Sequence, residues 1–530
     1  MRIESRPLSG APLVQAWLKD DPEALRFFPG APGELDSYEA KAREVDSRIG
    51  EDARRRVAGH LLGGGEGGKK RLEEFVSRAG LLVTTGQQPG LFGGPLYGLY
   101  KGLTIAWLAR SLEARLARPV LPVFWIASED HDWEEVRRTH VLSPTNDLGE
   151  IALPPRSSEP ARPIHRIALG SELEEALDQF LALHPETDFS PRWTAVLKES
   201  YPSGATLAEG FQRVWEALLG PAGVFLVQAH ATDLKARSLP MLLRELEESE
   251  LREGELKETA GELGSAGYEL QVPLFDDATN VFLEGANGRE RIFRDGGAFR
   301  LRGSGERLTL REIQDRAEGD PSVLSPNVLL RPVIESALLP TVAYVAGPGE
   351  VAYLPQTIPV FRGHGVERPI VHPRVSLAIQ ETKVGKVMEK FGLDMETMAR
   401  PHHEVAGDLV RDDIPEDVKS SLNALRQAIG KGGGKLRTAA AALDPTLKGP
   451  VENFRKQGMG LLDDVERKVV HSLKRENEIT LAQVEKAQLH LFPLGRPQER
   501  VLNPFYYLFR YGEEFLEQVE ERARDAVLPK

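Results

Sequence analysis

The chain has 530 residues, 41% of them apolar and 28% charged, with a formal net charge of −13 and no cysteine. That length calls for two or three structural units, and the missing thiols exclude disulfides, thiolate metal sites and a cysteine nucleophile. The acidic balance argues against a nucleic-acid partner. No apolar run reaches the roughly 18 residues of a membrane span, and Met1–Pro7 lacks an export signal's apolar stretch, so a cytoplasmic protein without a membrane partner is expected.

Residues 1–80 read as a charged helical segment packing on the core, with a glycine-rich break at Gly63–Gly68. Leu81–Thr85 is a short apolar, β-branched run that predicts a buried strand. A glycine-rich turn follows, then an amphipathic helix over Leu96–Leu116 and a second buried strand over Val120–Ala127. Strand, helix, strand makes a βαβ unit with a right-handed crossover. Gly223–Gln228 and Thr341–Ala346 repeat the pattern and Pro369–Ile379 adds a further strand, so residues 81–380 form a Rossmann-like, doubly wound parallel α/β sheet. Segments at about 150–220 and 250–325 are inserted in it. Asn280–Arg302 alternates between glycine-rich turns, which predicts β-hairpins. Residues 381–497 are helical, with Glu416–Ile429 and Asp463–Leu491 as the two limbs of an antiparallel coiled-coil arm, separated by a Gly/Pro-rich stretch. The aromatic segment 498–530 packs back on the core.

Three turns at the carboxyl edge of this sheet carry the candidate chemistry. Gly86, Gln87, Gln88, Gly90, Gly94, Tyr97 and Lys101 lie between a strand and a helix N-terminus, where free backbone N–H groups and the helix dipole favour an anion and Lys101 adds a charge. The segment is neither a Walker loop nor a dinucleotide fingerprint, and a turn needing glycine for backbone reasons also accounts for part of it. Glu129, Asp130, His131 and Asp132 leave the next strand. His131 between carboxylates suits a general base with a raised pKa, and the same carboxylates suit Mg2+. Asp132 with Glu135 three residues on also fits a helix cap. The third group is Asn327 and Arg331, then Gly349, Glu350 and Tyr353, with His372 and Arg374 ending a strand nearby. Arg331 is a candidate bidentate partner for a substrate carboxylate. Glu350 also fits a first-turn complement to the helix dipole. No histidine pair has zinc spacing, so no resident metal is expected.

Thr85-Gly86-Gln87-Gln88-x-Gly90-Leu91-Phe92-x-Gly94-Pro95-Leu96-Tyr97 with Tyr100-Lys101, and Pro122–Ala127 with Glu129–Asp132, resemble the leading signatures of bacillithiol synthases. Asn327–Pro332, Leu339–Tyr353 and Gln498–Val501 are similar to that family in order and spacing. The resemblance implies a Rossmann-like core with a coiled-coil arm and a homodimer. It implies a ligase for the last step of bacillithiol synthesis, an amide bond between the carboxylate of L-cysteine and the amine of glucosaminyl malate. ATP is the activator that this chemistry calls for, and an adenine nucleotide (ATP or ADP) near the arm and C-terminal segment makes Asn503, Phe505, Tyr506 and Tyr507 candidate contacts. Gly98 departs from the resemblance, since the family's signature often has Thr or a similar residue after Tyr97. The alternatives are a non-catalytic nucleotide-binding scaffold whose arm recruits a partner, and a nucleotidyltransferase acting on another carboxylate.

Overall fold

The structure, a computed structural model, describes residues 1–527 except Ser158, Asp413 and the side chains of Asp412 and Glu476. The chain divides into two compact units, Ile3–Ala378 with Glu499–Lys530, and Met1–Arg2 with Ile379–Gln498. Its strands are β1 (Arg2–Ser5), β2 (Leu62–Gly63), β3 (Leu81–Gln87), β4 (Val120–Ile126), β5 (Arg138–Leu142), β6 (Leu148–Ala152) and β7 (Phe225–Gln228). They continue with β8 (Ala278–Gly285), β9 (Gly288–Asp295), β10 (Ala298–Leu301), β11 (Arg307–Leu308), β12 (Leu324–Pro326), β13 (Thr341–Ala346), β14 (Ile370–Pro373) and β15 (Leu377–Gln380), so the one strand expected over Pro369–Ile379 is two.

The larger unit is built on a six-stranded sheet in the order β14-β13-β3-β4-β7-β2. β3 and β4 run parallel, from Leu81 opposite Val120 to Gln87 opposite Ile126, and the helix Tyr97–Leu116 connects them. Every residue of β4 is buried, which is why these strands read as unbroken apolar runs. β7 extends the sheet beyond β4, while β13 and β14 extend it beyond β3. The chain therefore reverses its direction of winding between β3 and β13, and in open α/β sheets such a switch point opens a crevice at the strands' carboxyl ends.

One strand departs from the expected all-parallel sheet. β2 pairs antiparallel with β7 and arises inside the segment read as helical. A two-residue strand has no periodicity to read. Its glycines serve the packing: Gly64 has φ +79°, and a Cβ there would lie 2.3 Å from the ring of Phe225.

β8 to β12 form a separate antiparallel sheet, ordered β11-β10-β9-β8-β12. In the smaller unit the helices Glu416–Leu443 and Lys448–Glu476 are joined by the turn at Asp444–Leu447. Arg426 pairs with Glu466 while Arg437 lies beside Glu452, so the two run antiparallel. Two expectations are corrected. The first helix continues through Gly430–Gly434 instead of stopping there, and the break falls at Asp444, whose side chain caps the Pro445 turn. Each helical glycine costs about 1 kcal/mol relative to alanine, a penalty the partner helix offsets by laying Arg455 over Gly433. The second limb is two helices, since Lys448–Glu476 ends at Asn477 and Glu478–Leu491 follows. Among the described residues no helix is long and apolar enough to cross a membrane.

Candidate functional site

The turns at the switch point and one face of the antiparallel sheet enclose a cavity of about 610 Å3, all of it within the larger unit. Gly86, Gln87 and Gln88 leave β3, Glu129, Asp130 and His131 follow β4, and Gly347, Gly349, Glu350 and Tyr353 follow β13. Tyr97, Lys101, Asn327, Arg331 and Arg374 complete the sheet side. The opposite wall carries Phe282 of β8, Arg289 and Arg291 of β9, the Gln271–Val272 segment and, from the C-terminal stretch, Arg500. Six Arg and Lys side chains against four Asp and Glu line this cavity in a chain of net charge −13. Its wall is locally basic.

Most of those charges are already committed. Lys101, expected to offer its charge to a ligand, is buried and bonds Glu350 Oε2 at 2.6 Å and the Gly86 carbonyl at 2.7 Å. Glu350 also accepts from the Tyr344 hydroxyl at 2.5 Å and from the Gly347 N–H at 2.7 Å. Burial works to raise its pKa, yet Lys101 and these donors hold it below the usual carboxylate range. Arg331 bonds Glu335 at 2.8 Å and the Tyr353 hydroxyl at 3.0 Å, so its guanidinium is only partly available. Asn327 closes the turn that precedes the helix Arg331–Leu338: its Oδ1 accepts from the N–H groups of Leu329 and Leu330. Glu129 is paired with buried Lys235. Arg374 is held bidentate by Glu499, at 2.5 and 3.1 Å.

Asp130 and His131 are set differently from the sequence expectation. Asp130 accepts from Gln88 Nε2 and from the His131 N–H. Burial would raise its pKa, but Arg289 and these two donors keep it below the ordinary value. His131 was expected to have a raised pKa. Burial, and then the Arg289 guanidinium, lower it against the pull of Asp130 and Asp132. Asp132 is the cap of the helix Trp133–Val136, accepting from the Glu135 N–H at 3.1 Å, and it does not line the cavity.

Four further expectations are corrected. Gly90 and Gly94 pack on each other, 3.6 Å from the Gly94 Cβ position to the Gly90 Cα, and serve the turn rather than the cavity. The helix start behind them is closed, because the Leu96 N–H donates to the Leu502 carbonyl and the Gly98 N–H to that of Pro95. His372 lies on β14 away from the lining, its pKa lowered to about 4 by burial, with Nδ1 beside the Pro373 carbonyl. Asn503, Phe505, Tyr506 and Tyr507 are fully buried: Asn503 bonds the Phe92 carbonyl and Thr139, and Phe505 packs edge-on to Phe180 and Trp193. Core side chains of this kind present no face to a nucleotide.

The cationic pair on β9 went unread. Arg289 and Arg291 are two apart on a strand and so share a face, and the Arg-x-Arg spacing inside the expected hairpin was the available signal. Arg289 and Arg291 sit over Phe282, 4.1 and 5.2 Å from its ring centre. Among the described residues neither Arg291 nor Arg500 has a carboxylate partner, which leaves them as the cavity's free cations. Among the described residues no three His, Asp or Glu side chains converge as a metal site would require.

Fold and site together define a Rossmann-like α/β protein with a small-molecule cavity at its topological switch point, joined to a coiled-coil unit. Family profiles described as "Bacillithiol biosynthesis BshC, N-terminal Rossmann-like domain" and "Bacillithiol biosynthesis BshC, C-terminal coiled-coil domain" match residues 1–375 and 377–524. The chain belongs to this family. Relatives named "Putative cysteine ligase BshC" include those of Salinibacter ruber, 32% identical over 97% of this chain and 98% of the relative, and Heliobacterium modesticaldum, 32% identical over 96% and 95%. That of Chlorobaculum tepidum is 30% identical over 86% and 82%.

Proposed function

We propose that this cavity joins L-cysteine to glucosaminyl malate, forming bacillithiol through an amide bond in the last step of its synthesis. The observation that carries the reading is the pair of cations Arg291 and Arg500, without a carboxylate partner among the described residues, in a cavity whose other four cations are each paired with a carboxylate. Glucosaminyl malate brings two carboxylates, and a dianion entering a desolvated cavity needs charged donors that are not already engaged. The names of the relatives favour a ligase over a scaffold.

Forming an amide from a free carboxylate requires that the carboxylate be activated, so ATP, with Mg2+ as the counter-ion of its phosphates, is part of the proposal. An arm-mediated homodimer belongs to it as well, supported by exposed Leu425, Leu436, Phe454, Leu461 and Val465 at heptad-like spacing on the two long helices; light scattering of the purified chain tests it.

The test of function is incubation of the purified chain with cysteine, glucosaminyl malate, ATP and Mg2+, with the thiol product followed by mass spectrometry. Bacillithiol is expected, and none without ATP. No product under conditions in which a related BshC protein makes it overturns the reading.

A further inference from the structure

Arg289 lies against the ring of His131. Its three guanidinium nitrogens are all engaged: Nε donates to Ser325 Oγ at 2.7 Å, Nη2 to the Pro326 carbonyl at 2.6 Å, and Nη1 lies 2.9 Å from His131 Nδ1. A guanidinium carries donors only and stays charged in proteins. Nδ1 must therefore accept through its lone pair, and the single proton of the neutral imidazole sits on Nε2. An imidazolium would set N–H against N–H.

The neighbouring titratable groups do not undo this arrangement. Asp130 Oδ1 is 3.5 Å from Nδ1 and takes the backbone N–H of His131 at 2.7 Å. Asp132 is occupied by the Glu135 N–H. From β9, Arg289 and Arg291 both oppose protonation. The ring is also braced by Phe282, 5.8 Å between centroids. Nε2 has no partner among the described residues, and His131 lines the cavity.

We propose that Arg289 locks His131 as the neutral Nε2-protonated tautomer, which presents its N–H as a hydrogen-bond donor to an oxygen of the bound ligand. His131 is then an electrophilic contact and not the general base, because its one basic lone pair is turned to Arg289. The donor's part in turnover rests on the function proposed above. The tautomer does not.

Long-range 1H–15N correlation spectra of the full-length chain labelled at histidine read the tautomer directly, with His131 assigned by the signals lost in His131→Gln. The Nε2-protonated pattern is expected near neutral pH, and the Nε2 proton is expected to move downfield with glucosaminyl malate at saturation. Arg289→Lys, which keeps a donor, should preserve the pattern, and Arg289→Met should release it. An Nδ1-protonated or imidazolium ring in the unmodified chain overturns the proposal, and an unmoved Nε2 proton at saturation overturns the donor role.

In turnover, His131→Gln keeps an amide N–H donor and should retain activity within about tenfold. His131→Glu offers only acceptors and should lose on the order of 10²–10³, the scale of a lost oxyanion donor. The reverse ranking sinks the donor role. If the unmodified chain makes no bacillithiol, the functional reading fails while the spectra still decide the tautomer.

Discussion

Arg291 and Lys101 are both cations on the wall of one cavity, and they should respond to mutation in opposite ways. Arg291 stacks on Phe282, and among the described residues neither it nor Arg500 has a carboxylate partner. Removing either should raise KM for glucosaminyl malate by on the order of tenfold or more, the worth of one charge-assisted hydrogen bond, with kcat little changed in steady-state assays. Lys101 is 4% exposed and bonded to Glu350. Lys101→Met leaves that carboxylate buried without its cation and should cost about 3–5 kcal/mol of stability in urea titrations. A KM effect at Lys101 with unchanged stability would show that its charge serves the ligand after all. Position in sequence puts Lys101 at the sheet edge, and the structure has it on the cavity wall. It could not show that the charge was spoken for, because Glu350 lies some 250 residues further on.

The same contrast governs the elements. The strand, glycine turn and helix over Leu81–Leu116 were legible because hydrophobic period and turn chemistry are local. The closing of the helix start was not, since the acceptor for the Leu96 N–H is Leu502. The expected anion cradle was lost to a distant piece of the same chain. Likewise, the aromatic run at Phe505–Phe509 reads equally as a stacking surface or a core, and only its burial decides. Gly98 has a physical reason: a Cβ there would stand 2.8 Å from the Trp215 ring, and one at Gly102 would stand 2.2 Å from Leu219. This helix lies close on Leu207–Leu219 because its facing residues are glycines. Gly98→Thr should therefore destabilise by about 1–3 kcal/mol through overpacking. Adding Trp215→Leu should recover part of that loss, a coupling that thermal melts of the two single variants and the double variant would measure. Strictly additive losses would mean that the ring is not what excludes the larger residue.

For the whole molecule, composition set the class and said little about the charge at the site. A chain of net charge −13 keeps a basic cavity because its cations are gathered from β9, from the switch-point turns and from the C-terminal stretch. Histidine behaves in a similarly collective way. His165, His184, His230 and His372 come from separate segments, and burial pushes each down to about 4. His165 and His230 lie stacked, 4.2 Å between ring centres and 1° from parallel, with His230 Nδ1 2.7 Å from Ser128 Oγ and His165 Nδ1 3.0 Å from the Ser128 carbonyl. They brace the turn that leads into Glu129–Asp132. A histidine unprotonated in the fold but titrating at about 6.5 in the unfolded chain makes the unfolded state bind more protons between those values. Stability then rises with pH in that window. The contribution is fully present above about 6.5, is lost as pH falls towards about 4, and amounts to roughly 1–3 kcal/mol per imidazole after screening of the partly exposed rings. Urea midpoints measured across this window should fall steadily with pH. His165→Phe, which keeps a ring against His230 but binds no proton when unfolded, should flatten the slope by one histidine's share. A midpoint that holds level from pH 6.5 down to about 4.5 would mean that these four side chains are protonated in the fold, and the stacked pair behind the site would then have to be rebuilt as a charged one.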